Sequence, residues 1–209
     1  MRRDTPKTIR FLSVPEGQSL RRAMSRRDDE ARASRTSGNL WRTGRDYGVL
    51  PDIPKKGFAD SLTPAVLVSL NTGLRRGELT SLNWTDIDLA GKRLTVRAGY
   101  AKSGKARHIP LNREALDALK RWHRQNPGLK VFPISDAKRA WSALLAEAKI
   151  AHFQWQDLRH DFAARLVIAG VDLDTVRELL GHSGIKAIWR YAHLAPKHKA
   201  EQAVERLVK

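Results

Sequence analysis

Four segments in the second half of the chain, "NREALDALKRWHRQN", "DAKRAWSALLAEAK", "QDLRHDFAARLVIAG" and "DTVRELLGH", repeat apolar residues at intervals of three and four. That interval stacks side chains on one face of a helix, whereas in a strand it would scatter them over both faces. The second half is therefore expected to be helical almost throughout. One earlier stretch has a different period: "WTDIDLAGKRLTVRAGYAKSGKARHIPL" alternates in "DIDL" and "RLTVR", breaks at "AGK", and resumes as "ARHIPL" after the "KSGK" turn. Three short strands satisfy that pattern. The expected fold class is mainly α with a small antiparallel three-stranded β-sheet.

Upstream, "LTPAVLVSLNTG" has the punctuation of a short buried helix, with Thr63 as N-cap, Pro64 at the first helical position and Gly73 at the far end. A further helix is expected to begin near Arg75. Residues 51 to 57, "PDIPKKG", break helix and mark a linker. Before them, "SRRDDEARASRTSG" mixes charges and offers few apolar anchors. Residues 1–59 are accordingly expected to form a basic arm, helical and docked on the core rather than folded alone, and residues 60–209 to form the main domain.

Lys and Arg number 39 against 22 Asp and Glu, a formal charge of +17 that must meet an anionic partner or be screened by salt. Nucleic acid is the leading candidate. A membrane is excluded as partner, because no apolar run approaches the roughly 20 residues of a spanning helix and no signal-peptide pattern opens the chain. The chain is read as cytoplasmic. With no cysteine, disulfides, thiolate metal sites and cysteine nucleophiles all fall away.

Within "FQWQDLRHDFAARL", Arg159 and His160 lie beside an apolar face of Leu158, Phe162, Leu166 and Val167. Alone, such an arginine reads first as a salt-bridged surface residue. In "ELLGHSGIKAIWRYAHL", Gly181 and His182 close a helix and Tyr191 follows nine residues later; taken singly, these suit capping and packing. Trp122, Trp141 and Trp155 fall in amphipathic stretches and read as packing residues.

The ordered series "TGLRRGEL", "AKSGKARHIPL", "QDLRH", "LLGH" and "RYAHL" resembles the tyrosine recombinase (phage integrase) family, over about residues 60 to 209. The resemblance implies that family's catalytic-domain fold and a site-specific recombinase or integrase that cleaves and rejoins DNA strands through a 3'-phosphotyrosyl link. It implies double-stranded DNA as substrate and other protomers assembled on that DNA, with no metal, no cofactor and no small-molecule substrate. It also implies a bacterial or phage-encoded protein associated with the nucleoid. By resemblance Arg75 and Arg159 would clamp the scissile phosphate, as the fit of planar guanidinium forks to phosphate oxygens also favours. Glu78 would orient these donors from behind, Lys102 in the "KSGK" turn would protonate the leaving 5'-oxygen, and His182 would bind phosphate or assist proton transfer. Tyr191 would be the nucleophile. Arg76 is expected to face solvent or the DNA backbone.

One position departs from the family pattern. Three residues before Arg159, where the family has a histidine, stands Gln156, which donates hydrogen bonds but takes no proton near neutral pH. Three origins stay open: a naturally slow or regulatory member, a substitution that traps a complex, or compensation by His160, whose usual role in the family is structural. The alternative function is a weak or inactive DNA-binding module derived from an integrase. A third reading, an RNA- or ribosome-associated basic protein, accounts for the charge but leaves the ordered motifs to chance. The family commonly carries another domain before the catalytic one, so the chain is expected to be a catalytic fragment. Its tail, with Ala203, Val204, Leu207 and Val208, is expected to be a helix that docks either on an adjacent protomer or back on its own core.

Overall fold

The structure, a computed structural model, describes residues 9–101, 104–134, 137–184 and 186–196. Lys102 and the tail helix expected beyond Pro196 lie outside the described residues. In chain order the elements are α1 (Val14–Thr43), α2 (Leu62–Thr72), α3 (Arg76–Ser81), β1 (Ile87–Asp88), β2 (Arg93–Val96), β3 (Arg107–Pro110), α4 (Arg113–Gln125), α5 (Lys138–Glu147), α6 (Asp157–Ile168), α7 (Leu173–Leu180) and α8 (Lys186–Trp189). No helix among the described residues is long and apolar enough to cross a membrane.

Helix α2 is the axle. Every residue of it but Leu67 is buried, and it packs against α4 on one side and α6 on another. A helix apolar on all faces must be enclosed by others, and each fully buried Leu or Val contributes about 1.5–3 kcal/mol. It begins at Leu62 with Ser61 as N-cap, whereas the sequence suggested Thr63 as N-cap and Pro64 as the first helical residue. Thr63 and Pro64 are carried inside the first turn, where proline's missing N–H costs nothing.

The sheet is antiparallel in the order β1-β2-β3. Leu94 pairs with Ile109 and Val96 with Arg107, so these four side chains share one face. Leu94, Val96 and Ile109 are buried there, in a core completed by α4 through Ala115, Ala118, Leu119 and Trp122. Arg107 thus closes the inward row of a strand, a place where a charge needs partners.

Helix α1 runs for 30 residues yet buries only Leu20, Ala23, Met24 and Asp28. Its first half packs on α5 in a cluster with Trp141, Leu144 and Phe153, and Arg21 grips Glu114 of α4 through two bonds of 2.7 and 2.8 Å. Its second half stands out from the core and is bound to the returning chain by polar groups. Arg32 donates to the Pro54 and Gly57 carbonyls, Asn39 to that of Leu50 and Arg42 to that of Gly48, at 2.7–3.2 Å; Arg35 donates to that of Pro51. A third apolar cluster joins α6, α7 and α8 around Phe162, Val167, Leu180, Ile188 and Tyr191.

Candidate active site

Two helix C-termini converge on one side chain. Helices α2 and α7 both end in left-handed glycines, Gly73 at φ +62° and Gly181 at φ +64°, the usual way to stop a helix. A Cβ at Gly73 would stand 2.5 Å from Phe162, and one at Gly181 2.9 Å from Arg107, so space as well as φ demands glycine. The last carbonyls of a helix have no partners inside it and carry the negative end of its dipole. Here the Gly73 and Leu180 carbonyls accept from the two terminal nitrogens of Arg159, at 2.7 and 2.6 Å.

Arg159 lies in the first turn of α6 and is 6% exposed. Among the described residues it forms no ion pair, so the surface salt bridge allowed by the sequence is not what holds it. Burial, reinforced by repulsion from Arg75 and Arg107, pulls its guanidinium down to about 9. It remains a cation at neutral pH.

Arg75 is placed by the start of α3. Its extended backbone caps the helix, and Glu78, three residues on, reaches back to its N–H at 2.9 Å, half of a capping box. The other Glu78 oxygen accepts from the Arg75 guanidinium at 2.9 Å. Glu78 is 2% exposed and also takes both terminal nitrogens of Arg107, at 3.1 and 2.7 Å. Burial pushes its carboxyl upward, but the bonds from Arg107 and Arg75 outweigh that and leave it below the usual range. Two guanidinium groups, those of Arg75 and Arg107, therefore share a single buried carboxylate, and Arg159 stands within electrostatic reach of all three.

A cavity of about 560 Å³ opens beside them. Arg75, Gln156, Arg159, His160, His182 and Tyr191 all line it, so the structure gathers six of the eight side chains singled out in the sequence at one wall-to-wall site. Glu78 stands behind Arg75, and Lys102 lies outside the described residues. Exposed Arg76 and Arg190 also reach the rim. A second cavity of about 710 Å³ adjoins the first and shares Gln154, Gln156, His160 and Arg190 with it.

Tyr191 is 1% exposed and its hydroxyl lies 2.5 Å from His160 Nδ1. Burial raises the phenol to about 12 and lowers the His160 imidazole below its ordinary 6.5. A neutral imidazole beside a protonated phenol means that Tyr191 donates and Nδ1 accepts. His182 is also held neutral, pulled down to about 4 by burial and by Arg159 and Arg75, and its buried Nδ1 has no partner among the described residues. Gln156 precedes α6, makes no capping bond with its side chain and lines the cavity.

Arg107, Arg190 and Trp155 were not anticipated as site residues. Arg107 had a legible signal, since alternation along "RHIPL" puts it on the same face as Ile109 and Leu111. Arg190 and Trp155 had none beyond adjacency to Tyr191 and Gln156. Chemically, the cavity offers an excess of fixed positive charge, donors suited to an oxyanion, and a phenol in contact with a base.

The family model described as the phage integrase family matches residues 53–198. The integrase of Salmonella phage P22 is 35% identical over 162 residues, a span of 69% of this chain and 42% of that protein. The chain thus spans less than half the length of this curated relative. Among solved structures, the catalytic domain of bacteriophage HP1 integrase superposes with a TM-score of 0.57 at 28% identity, covering 69% of this chain and 81% of that one. The Tn1549 transposon integrase in complex with circular intermediate DNA has the same fold, with a TM-score of 0.56 at 23% identity over 69% of this chain and 59% of that one. The match runs from the loop before α2 to beyond Tyr191 and so takes in every element that builds the cavity: the chain belongs to the phage integrase family.

Proposed function

We propose that this chain is the strand-cleaving and rejoining part of a site-specific tyrosine recombinase acting on double-stranded DNA. The observation that carries the reading is the cavity itself, where a cation excess from Arg75 and Arg159 borders the hydroxyl of Tyr191 in contact with a neutral base. The charge of +17 supports a polyanionic partner, as does the DNA bound by the Tn1549 integrase. In this reading residues 60–209 form the catalytic domain, residues 1–59 an arm docked on it, and the chain works in the cytoplasm on the nucleoid, with further protomers on the same DNA.

The non-bridging oxygens of the scissile phosphodiester sit against Arg75, Arg159 and His182, where charge developing in the transition state meets fixed donors. The Tyr191 oxygen forms a bond to phosphorus as its proton passes to His160 Nδ1. The bond from phosphorus to the 5'-oxygen breaks, and that oxygen takes a proton, for which Lys102 is the proposed donor. The product is a 3'-phosphotyrosine and a free 5'-hydroxyl. Attack by the 5'-hydroxyl of another strand reverses each step. In the absence of DNA the phenol at about 12 is unreactive, and a bound phosphate with its in-line geometry is what engages it.

A duplex nicked close to the cleavage site traps the intermediate, because the short fragment that carries the free 5'-hydroxyl diffuses away. Denaturing electrophoresis should show a protein–DNA adduct with the wild-type chain and none with Tyr191→Phe. The second reading, a binding-only module, is favoured by Gln156 in the cavity wall and by the near-complete burial of Tyr191. It stands if wild type and Gln156→His both bind duplex without forming the adduct.

A further inference from the structure

Arg107 does not line the cavity, yet it touches what fixes three of the groups that do. Its side chain is 8% exposed and points from the inward row of β3. Its two terminal nitrogens take both oxygens of Glu78 at 3.1 and 2.7 Å, and its Nε donates to the Leu179 carbonyl at 3.0 Å. On one side, Glu78 is the anchor of Arg75. On the other, Leu179 is followed by Leu180, whose carbonyl holds Arg159, by Gly181, whose missing Cβ leaves room for the Arg107 stem, and by His182.

We propose that Arg107 is a positioning residue that sets Arg75 on one wall of the cavity and the Leu180–His182 turn on the other. The proposal rests on the reading of the cavity as a phosphodiester site. By occupying both Glu78 oxygens, Arg107 restricts Arg75 to a single side-chain bond with that carboxylate and leaves the rest of its fork to the substrate. Without Arg107, Glu78 remains a buried carboxylate whose one cationic partner is Arg75, and the two close on each other. A lysine does not substitute, because one ammonium has no planar fork to span two oxygens and a carbonyl at fixed angles.

Arg107→Met and Arg107→Lys are compared with wild type in three measurements: adduct formation on the nicked duplex, affinity for intact duplex, and the Nε–Hε NMR signals of Arg75 and Arg159, which require no cleavage. The adduct rate is expected to fall about 10- to 100-fold, the usual loss when a group that orients a ligating residue is removed. Duplex affinity stays the same and the Arg75 signal moves. Adding Glu78→Gln to Arg107→Met should recover part of the rate, since a neutral amide no longer draws Arg75 away; a merely structural defect would deepen instead. An Arg107 variant with the wild-type rate and an unmoved Arg75 signal overturns the proposal, and so does a double variant no faster than Arg107→Met. If circular dichroism shows that Arg107→Met fails to fold, Arg107→Lys decides on rate and signal. A wild-type chain that forms no adduct overturns the reading of the site instead, and the Arg75 signal then judges Arg107 by itself.

Discussion

At the scale of single residues, the contact between His160 and Tyr191 bears on the departure at Gln156. An imidazole already accepting from the phenol is placed to take its proton, which favours compensation by His160 over a slow or regulatory member and over a trapping substitution. His160→Gln is then expected to slow adduct formation by about 10²- to 10⁴-fold, the range for loss of a general base, while Gln156→His adds a second acceptor and accelerates it. An unchanged rate in His160→Gln would show that the contact is packing alone. The pH dependence follows from the same groups. His160 must be neutral to accept, and burial holds it below 6.5, so the rate should decline only on the acid side of that value. A single-turnover profile from pH 5 to 8 tests this limb.

At the scale of elements, the glycines that end α2 and α7 do more than stop helices, because the carbonyls beside them hold Arg159. Gly181→Ala forces a left-handed residue to carry a Cβ against Arg107. It is expected to cost about 1–3 kcal/mol of stability, read by urea unfolding, and to lower the adduct rate further than the stability loss explains; full activity in a destabilised protein would separate the turn from the site. What was legible in the sequence follows the same division. The three strands and the helices from α4 to α7 declared themselves through period and punctuation, since each buries a regular stripe. Helix α1 was foreseen as a helical arm docked on the core but without its bounds, because its outer half is held by guanidinium–carbonyl bonds that leave no apolar period to detect. The start of α2 was misplaced because Thr63 and Pro64 suit a first turn as well as its boundary. Alternation along β3 marks Arg107 as inward-facing, but its partners, Glu78 and Leu179, lie 29 and 72 residues away, and no local pattern encodes that meeting.

At the scale of the whole molecule, the surplus of 39 basic over 22 acidic residues predicts how the protein meets DNA. If it covers about six to ten phosphates, duplex affinity should fall about 10³- to 10⁵-fold between roughly 50 and 200 mM salt; a shallow dependence in fluorescence anisotropy would mean that the charge is spread over surfaces that never touch the duplex. Arg75 and Arg107 on one buried carboxylate, with Arg159 repelled by both, give that surplus an inward counterpart. If, as proposed, part of the ionic complement of this fold resides on DNA, a bound polyanion should offset the mutual repulsion of the cavity's cations. Sulfate or phosphate in a storage buffer would then act as a temporary tenant of the cavity, and the chain should keep longest in solutions that imitate its substrate.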